Sequence, residues 1–288
     1  TLTLDDYNVD LSGSTADVKA ALDGFGSTYK GHVTLTDSST DSAVQATDIS
    51  TIAGDTDGNV TVQSSMQITG TSDEVVTAVG HVNTFSGTPT VTLSDAHNLA
   101  ELKTINDEIS GTITLFDYTV NLSGSTADIK DALDGFGSTY TGNVELTDAA
   151  DDEIFATDIT TIEGNTSGSV TVKNKIDIKG TASDVDAAIK DVDTFSDTTT
   201  NADVTLTSDP TLAQLVSIND AISGTITLQG TNSYGLALSG STADVKAALA
   251  GTFANTYKGN VTLTDADDDE IFATDITTIE GDTEGTVT

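Results

Sequence analysis

Residues 14–37 read STADVKAALDGFGSTYKGHVTLTD, and their pattern decides the fold. Ser14 offers a side-chain oxygen to the first helical N–H groups, and Asp17, three residues on, answers it as a capping box at the positive end of the helix dipole. Val18, Ala21, Leu22 and Phe25 recur at i, i+3, i+4 and i+7, so one apolar stripe lines a helix of two or three turns. Gly24 or Gly26 is expected to stop that helix in a left-handed conformation. After a polar turn, Val33-Thr34-Leu35-Thr36 alternates with period two, which predicts a strand with Val33 and Leu35 inward.

The same words return along the chain. LSGSTADIKDALDGFGSTYTGNVELTD at 122–148 matches residues 11–37 closely, and LSGSTADVKAALAGTFANTYKGNVTLTD at 238–265 repeats it with one inserted residue. Weaker copies, ITGTSDEVVTAV at 68–79 and IKGTASDVDAAI at 178–189, halve the period. A second type of unit, aligned on Asp48, Glu101, Asp158, Gln214 and Asp275, shares an Ile/Leu-x-x-Ile spacing, a Gly and an alternating strand. The chain therefore reads as ten helix-then-strand modules of about 29 residues, the signature of a solenoid.

The expected fold is α/β: an elongated right-handed solenoid with parallel sheets, since strand–helix–strand crossovers are right-handed. The competing architecture is a string of separate α/β domains of roughly 111 residues, because the best match lies at the long period. On that period, residues 1–111 form repeat 1, 112–224 repeat 2 and 225–288 a partial repeat 3. The chain begins and ends inside repeat strands without polar caps, which predicts a piece of a longer array or ends that join identical copies in a filament.

Taken in order, residues 1–11 read as a strand pair around Asp5-Asp6. An acidic loop over 38–47 leads to a short helix at 48–53 with Ile49 and Ile52 inward. Gly54 to Gly58 is turn chemistry, and strands follow at 60–62 and 66–69. Later helix starts fall near Thr71, Glu101, Ser125, Asp158, Thr181, Gln214, Ser241 and Asp275.

Composition narrows the function. The formal charge is −36 and every basic residue is Lys. A nucleic-acid partner is not expected, because phosphates need clustered Lys and Arg, and anionic membrane surfaces are repelled in the same way. No stretch reaches the roughly 18 apolar residues of a membrane span, so membrane insertion of this segment is not expected. The chain holds no Cys, so stability must come from stacking or bound cations instead of disulfides.

The strings LSGSTADVKAALDGFGSTY, LKTINDEISGTITL and VTLTDA resemble the repeats of very large, acidic bacterial surface and adhesin-like proteins, notably those of marine bacteria and cyanobacteria. The resemblance covers essentially the whole chain. It implies secretion to the cell surface and a role as an adhesive or structural rod, with further repeats or neighbouring copies as partners and cell-surface polysaccharide as a further one. The glycine-aspartate nonapeptide of secreted calcium-binding toxins is absent, so calcium does not follow from that motif.

Calcium is instead suggested by two acidic loops: Asp148, Asp151, Asp152 and Glu153, and Asp265, Asp267, Asp268, Asp269 and Glu270. Hard divalent cations take six to eight oxygens, so a loop of four or five carboxylates suits Ca²⁺. The bland alternative is a solvated acidic surface, and neither loop has EF-hand spacing. Catalysis is not expected. His32, His81 and His97 occupy non-equivalent places, and no Ser-His-Asp set or phosphate loop assembles. A second binding reading uses the pairs Thr34/Thr36, Thr90/Thr92, Thr112/Thr114, Thr205/Thr207, Thr225/Thr227 and Thr262/Thr264. Stacked on successive strands, they would form hydroxyl ladders suited to ice or crystalline carbohydrate, although Thr is also simply a good strand former.

Overall fold

The structure, a computed structural model, describes residues 3–197, 201–267 and 269–288. Its first helix, α1 (Thr15–Leu22), starts where Ser14 turns extended, with φ −62° and ψ 152°, and its hydroxyl oxygen accepts from Asp17 N–H. Asp17 is too short to complete the box. It takes the Ser14 hydroxyl proton at 2.8 Å instead. Where the third residue is longer the reciprocal box closes, as in Thr71 with Glu74, Asn98 with Glu101 and Thr211 with Gln214.

Nine further helices follow among the described residues: α2 (Ala46–Asp55), α3 (Ser72–His81), α4 (Leu99–Glu108), α5 (Thr126–Ala132), α6 (Ala156–Asn165), α7 (Ala182–Asp191), α8 (Leu212–Ala221), α9 (Thr242–Leu249) and α10 (Ala273–Asp282). Among the described residues all registered strand pairs are parallel, and five sheets collect them. The α/β class with parallel sheets and ten helices is therefore as the sequence predicts. The single-strand module is not, because short strands outnumber the helices almost two to one.

The described residues form two compact units, the first reaching Leu122 and adding Asp128–Gly142 and Asn165–Gly168, the second taking Ser123–Ala127, Asn143–Gly164 and Ser169 onward. In the first, one sheet orders Leu11–Gly13, Val33–Leu35, Val60–Val62 and Thr84–Phe85, and another orders Val44–Gln45, Gln67–Gly70, Thr90–Leu93 and Ile113–Thr114. Leu11 faces Val33, Val33 faces Val60, and Val44, Ile68, Val91 and Ile113 stand in one row. Apart from the half-buried Leu11 these inward rows are buried, and so are Ile49, Ile52, Val75, Leu102 and Ile105 from the helices. Each strand thus lays one apolar residue on the next, the way a parallel stack hides its core.

The second unit repeats this plan. Val144–Leu146, Val170–Val172 and Thr194–Phe195 pair in turn, while Glu153–Phe155, Ile176–Gly180, Ala202–Leu206, Thr225–Leu228 and Thr252–Phe253 make the longer sheet. Leu238–Gly240 pairs with Val261–Leu263. Successive turns touch backbone to backbone at glycines. A Cβ at Gly58 would collide with the Gly31 carbonyl, and one at Gly142 with the Val120 carbonyl.

Several local expectations are corrected. No strand pair occupies the described part of residues 1–11 before Leu11; there Tyr7 O accepts from both Lys30 N and Gly31 N at 2.9 Å. Helix α2 runs through Gly54 and Asp55, where the sequence predicts a turn, because its buried Ile49 and Ile52 anchor the preceding turns. Helix α1 ends at Leu22 with Asp23 still right-handed, so Gly24 and Gly26 are not the stop. Among the described residues the left-handed glycine is Gly135, at φ 75°. Helices α4 and α8 start at Leu99 and Leu212, before the expected Glu101 and Gln214, which are third residues, and Asn98 and Thr211 are the caps.

Candidate functional site

The acidic loops begin where a strand ends in aspartate. Asp37 follows Val33–Leu35 and is buried. Its Oδ2 accepts the Thr15 backbone N–H at 2.8 Å and the Thr15 hydroxyl at 2.7 Å. Thr15 opens α1, one turn earlier in the chain. Helix α1 is thus capped twice, by its own Ser14 and by the following turn's carboxylate, which suits a helix start with orphan donors and a positive dipole end.

The arrangement recurs. Asp148 accepts Thr126 N at 3.0 Å and the Thr126 hydroxyl at 2.6 Å. Asp265 accepts Thr242 N at 3.0 Å and its hydroxyl at 2.7 Å. These bonds hold the Asp265 carboxyl below the usual range. Asp95 takes Ser72 N at 2.7 Å, and Ser208 takes Ala182 N at 3.0 Å. Two of the residues expected to bind calcium, Asp148 and Asp265, are therefore committed to helix starts.

A later carboxylate, four residues on, staples each loop. Asp152 accepts Ala149 N and Asp269 accepts Ala266 N, both at 2.9 Å. Asp41 does the same with Ser38 N at 2.7 Å, and the bonds from Ser38 hold its carboxyl low. Asp151 is left-handed at φ 66° and binds Lys175 Nζ at 2.6 Å. Lys175 also meets Asp203 at 2.7 Å, and these two partners push its ammonium pKa up. Glu153 pairs with Lys179 at 3.0 Å. Asp267 and Glu270 are exposed, and Asp268 lies outside the described residues.

The structure thus brings Asp151 and Glu153 together with two carboxylates that sequence reading missed. Glu153, Asp177 and Asp203 stand in register on neighbouring strands, answered by Lys175 and Lys179. Burial pushes the Asp177 carboxyl up, against a hydrogen bond from the Thr205 hydroxyl at 3.1 Å. The local signal was the short Lys-x-x-x-Lys run after Asn174, but its partners lie on other turns. Among the described residues, no three acids or histidines converge as metal ligands. The first loop, poorest in charge, carries a cavity of about 300 Å³ whose lining includes Asp37, Asp41 and Asp48.

The threonine ladders keep two expected rungs, Thr92 beside Thr114 and Thr205 beside Thr227, and otherwise differ in membership. Ser12, Thr34, Thr61 and Thr84 stand in register in one sheet, while Thr69, Thr92 and Thr114 do so in another. Thr34 and Thr90 therefore belong to different sheets. His32 is part of a similar row. Its Nδ1 accepts Asn59 N at 3.0 Å, where Asn143 and Asn260 offer Oδ1 to Ser169 and Thr286. His97 is buried, with Nε2 3.1 Å from the Tyr140 hydroxyl. No helix of the described residues is long and apolar enough to cross a membrane. No protein-family model, curated protein or solved structure matches the chain.

Proposed function

We propose that this chain is a non-enzymatic structural or adhesive repeat segment of a bacterial cell surface, extracellular, with further repeats or copies of itself as its first partners. The observation that carries this reading is the cross-turn cap. Asp37, Asp95, Asp148, Ser208 and Asp265 each complete a helix start that belongs to the preceding turn. A turn built this way is unfinished without its neighbour, which is the chemistry of an array. Continued along the chain, it makes the proposed right-handed α/β solenoid. Scattering from the isolated segment should then give a radius of gyration well above the ~19 Å of a compact chain of this length.

The functional test is mechanical and topological. Antibody against this segment should label intact producing cells, and pulling the segment should give stepwise extensions, about 37–40 nm for each long repeat at 3.3–3.6 Å per residue. Labelling only after lysis, or release of the whole chain in one step at low force, would refute the proposal. A second reading, adsorption to ice or crystalline polysaccharide, draws support from the Ser12–Thr34–Thr61–Thr84 hydroxyl row. It requires thermal hysteresis or crystal adsorption that Thr34→Val with Thr61→Val abolishes.

A further inference from the structure

We propose that His97 is an acid-sensitive latch in the first unit, holding the 94–98 loop against the Val120 and Tyr140 segments and releasing it when the imidazole takes a proton. The hydrogen bonds fix its tautomer. The Tyr140 hydroxyl donates to Val120 O at 2.5 Å, so its oxygen remains as an acceptor. His97 Nε2, 3.1 Å away, must then be the donor. Nδ1 is left as a bare lone pair, buried and without a partner. The ring is 5% exposed, so protonating Nδ1 would create a buried donor and a buried charge at once.

Three titratable groups face the ring. Tyr140 comes from the segment after α5, Asp117 from the turn before Tyr118, and Asp95 from the ring's own loop. Burial, the largest influence, drives the imidazole pKa down, and the two carboxylates oppose it without overcoming it. Asp95 is already bound to Ser72 N and Asp117 to Thr119 N–H and hydroxyl, so neither is free to swing over as a counter-ion. Burial also pushes the Tyr140 hydroxyl up, which keeps it neutral.

The sign follows from linkage. A histidine whose closed-state pKa is depressed favours the closed state at pH above its free value of ~6.5, and that advantage is lost as pH falls towards the closed-state value. In that window the open population should rise by up to about tenfold per pH unit, one proton being taken up on opening. The latch also reaches the neighbouring helix, since Asp95 in the same loop caps α3. The equivalent place in the next repeat holds Pro210, which cannot titrate, and Tyr257 there donates to Leu236 O without a histidine.

The experiment is hydrogen exchange of the whole chain from pH 7 to 4.5, corrected for intrinsic rates. It is read at Leu102 N–H, bound to Asn98 O, and at Thr141 and Gly142 N–H, bound to Tyr118 O. In the wild type these amides should lose protection steeply with acid, while Lys258 N–H, bound to Tyr234 O in the second unit, should not. His97→Gln keeps a neutral donor for Tyr140 and should remove the acid dependence. The same acid slope in His97→Gln, or equal loss at Lys258, overturns the proposal. Should that variant fail to fold, the imidazole resonance of the wild type decides: a closed-state ring that titrates at or above the free histidine value overturns it, and one that stays neutral below it supports it.

Discussion

Replacing Asp37 by alanine removes the following turn's contribution to α1 and nothing from α1 itself. Two donors lose their acceptor, Thr15 N–H at 2.8 Å and Thr15 Oγ–H at 2.7 Å. Thr15 is 3% exposed and Asp37 9%, so water does not replace the carboxylate without rearrangement. Each buried donor left unpaired costs about 1–3 kcal/mol, and the loss of a negative charge at the helix start adds about 0.3–1 kcal/mol. Because the threonine hydroxyl can rotate towards another oxygen, we expect about 2–4 kcal/mol in total. Asp37→Asn keeps one oxygen for both donors and should cost about 1 kcal/mol, the charge assistance alone. Asp41→Ala, whose bonds to Ser38 are exposed, should cost under about 0.5 kcal/mol. Native-state hydrogen exchange separates these cases, because it reads opening segment by segment. Protection should fall at Val18 and along α1, whose N–H groups bond back towards Ser14 O. If Asp37→Ala and Asp41→Ala cost the same, or if the loss spreads evenly over the first unit, the cross-turn cap is not what orders α1.

Two further tests use other features of the seams. Gly54→Ala sits in the last turn of α2 with open space at its Cβ and should stabilise by up to about 0.5 kcal/mol, whereas Gly58→Ala drives its Cβ into the Gly31 carbonyl and should destabilise by about 1–3 kcal/mol in a denaturant melt. The opposite ranking would mean that the turns do not approach as described. Calcium is the other: at constant ionic strength near ~1 M, where the Debye length is about 3 Å, a rise in melting temperature at millimolar CaCl₂ that Asp267→Asn with Asp269→Asn diminishes would establish specific binding. A flat response would leave both acidic loops as capped and solvated surface.

Periodicity made the helices and the inward faces legible. Val33, Leu35, Ile49 and Ile52 are wholly buried, as their spacing requires. What local pattern could not carry was anything one turn away. Val44–Gln45 is only two residues long and alternates with nothing, so this strand of the second sheet falls in the stretch the pattern reads as loop, while its neighbours Gln67–Gly70, Thr90–Leu93 and Ile113–Thr114 are legible. Asp148 and Asp265 looked like cation ligands because their partners, Thr126 and Thr242, lie 22 and 23 residues upstream. The pattern did contain Asn98 and Thr211 as caps, each three residues before an acid or amide. The alignment instead placed the helix start on Glu101 and Gln214. Nothing local marks His97 apart from its lack of an equivalent histidine, because its partner Tyr140 is 43 residues further on.

The caps also explain how a chain of formal charge −36 can stack at all. Self-repulsion acts between carboxylates that face water, whereas those at the seams face helix starts and their N–H groups. The lysines are placed on the same logic. Lys173 reaches Glu145, Lys175 reaches Asp151 and Asp203, Lys179 reaches Glu153, Lys246 reaches Asp275 and Lys258 reaches Glu284. Each of these pairs spans one turn, not one helix. Singly such exposed pairs contribute between nothing and about 1 kcal/mol, so their value is in register more than in stability. The native register sets Glu153, Asp177 and Asp203 side by side with Lys175 and Lys179 to answer them, whereas a turn shifted by one residue would put Glu153 opposite Ile176 or Ile178 and turn that buried apolar row outward. The acidic composition therefore does two separable things: outward carboxylates keep the surface charged, and seam carboxylates, each matched to a dipole, a hydroxyl or a lysine one turn away, specify which turn sits beside which.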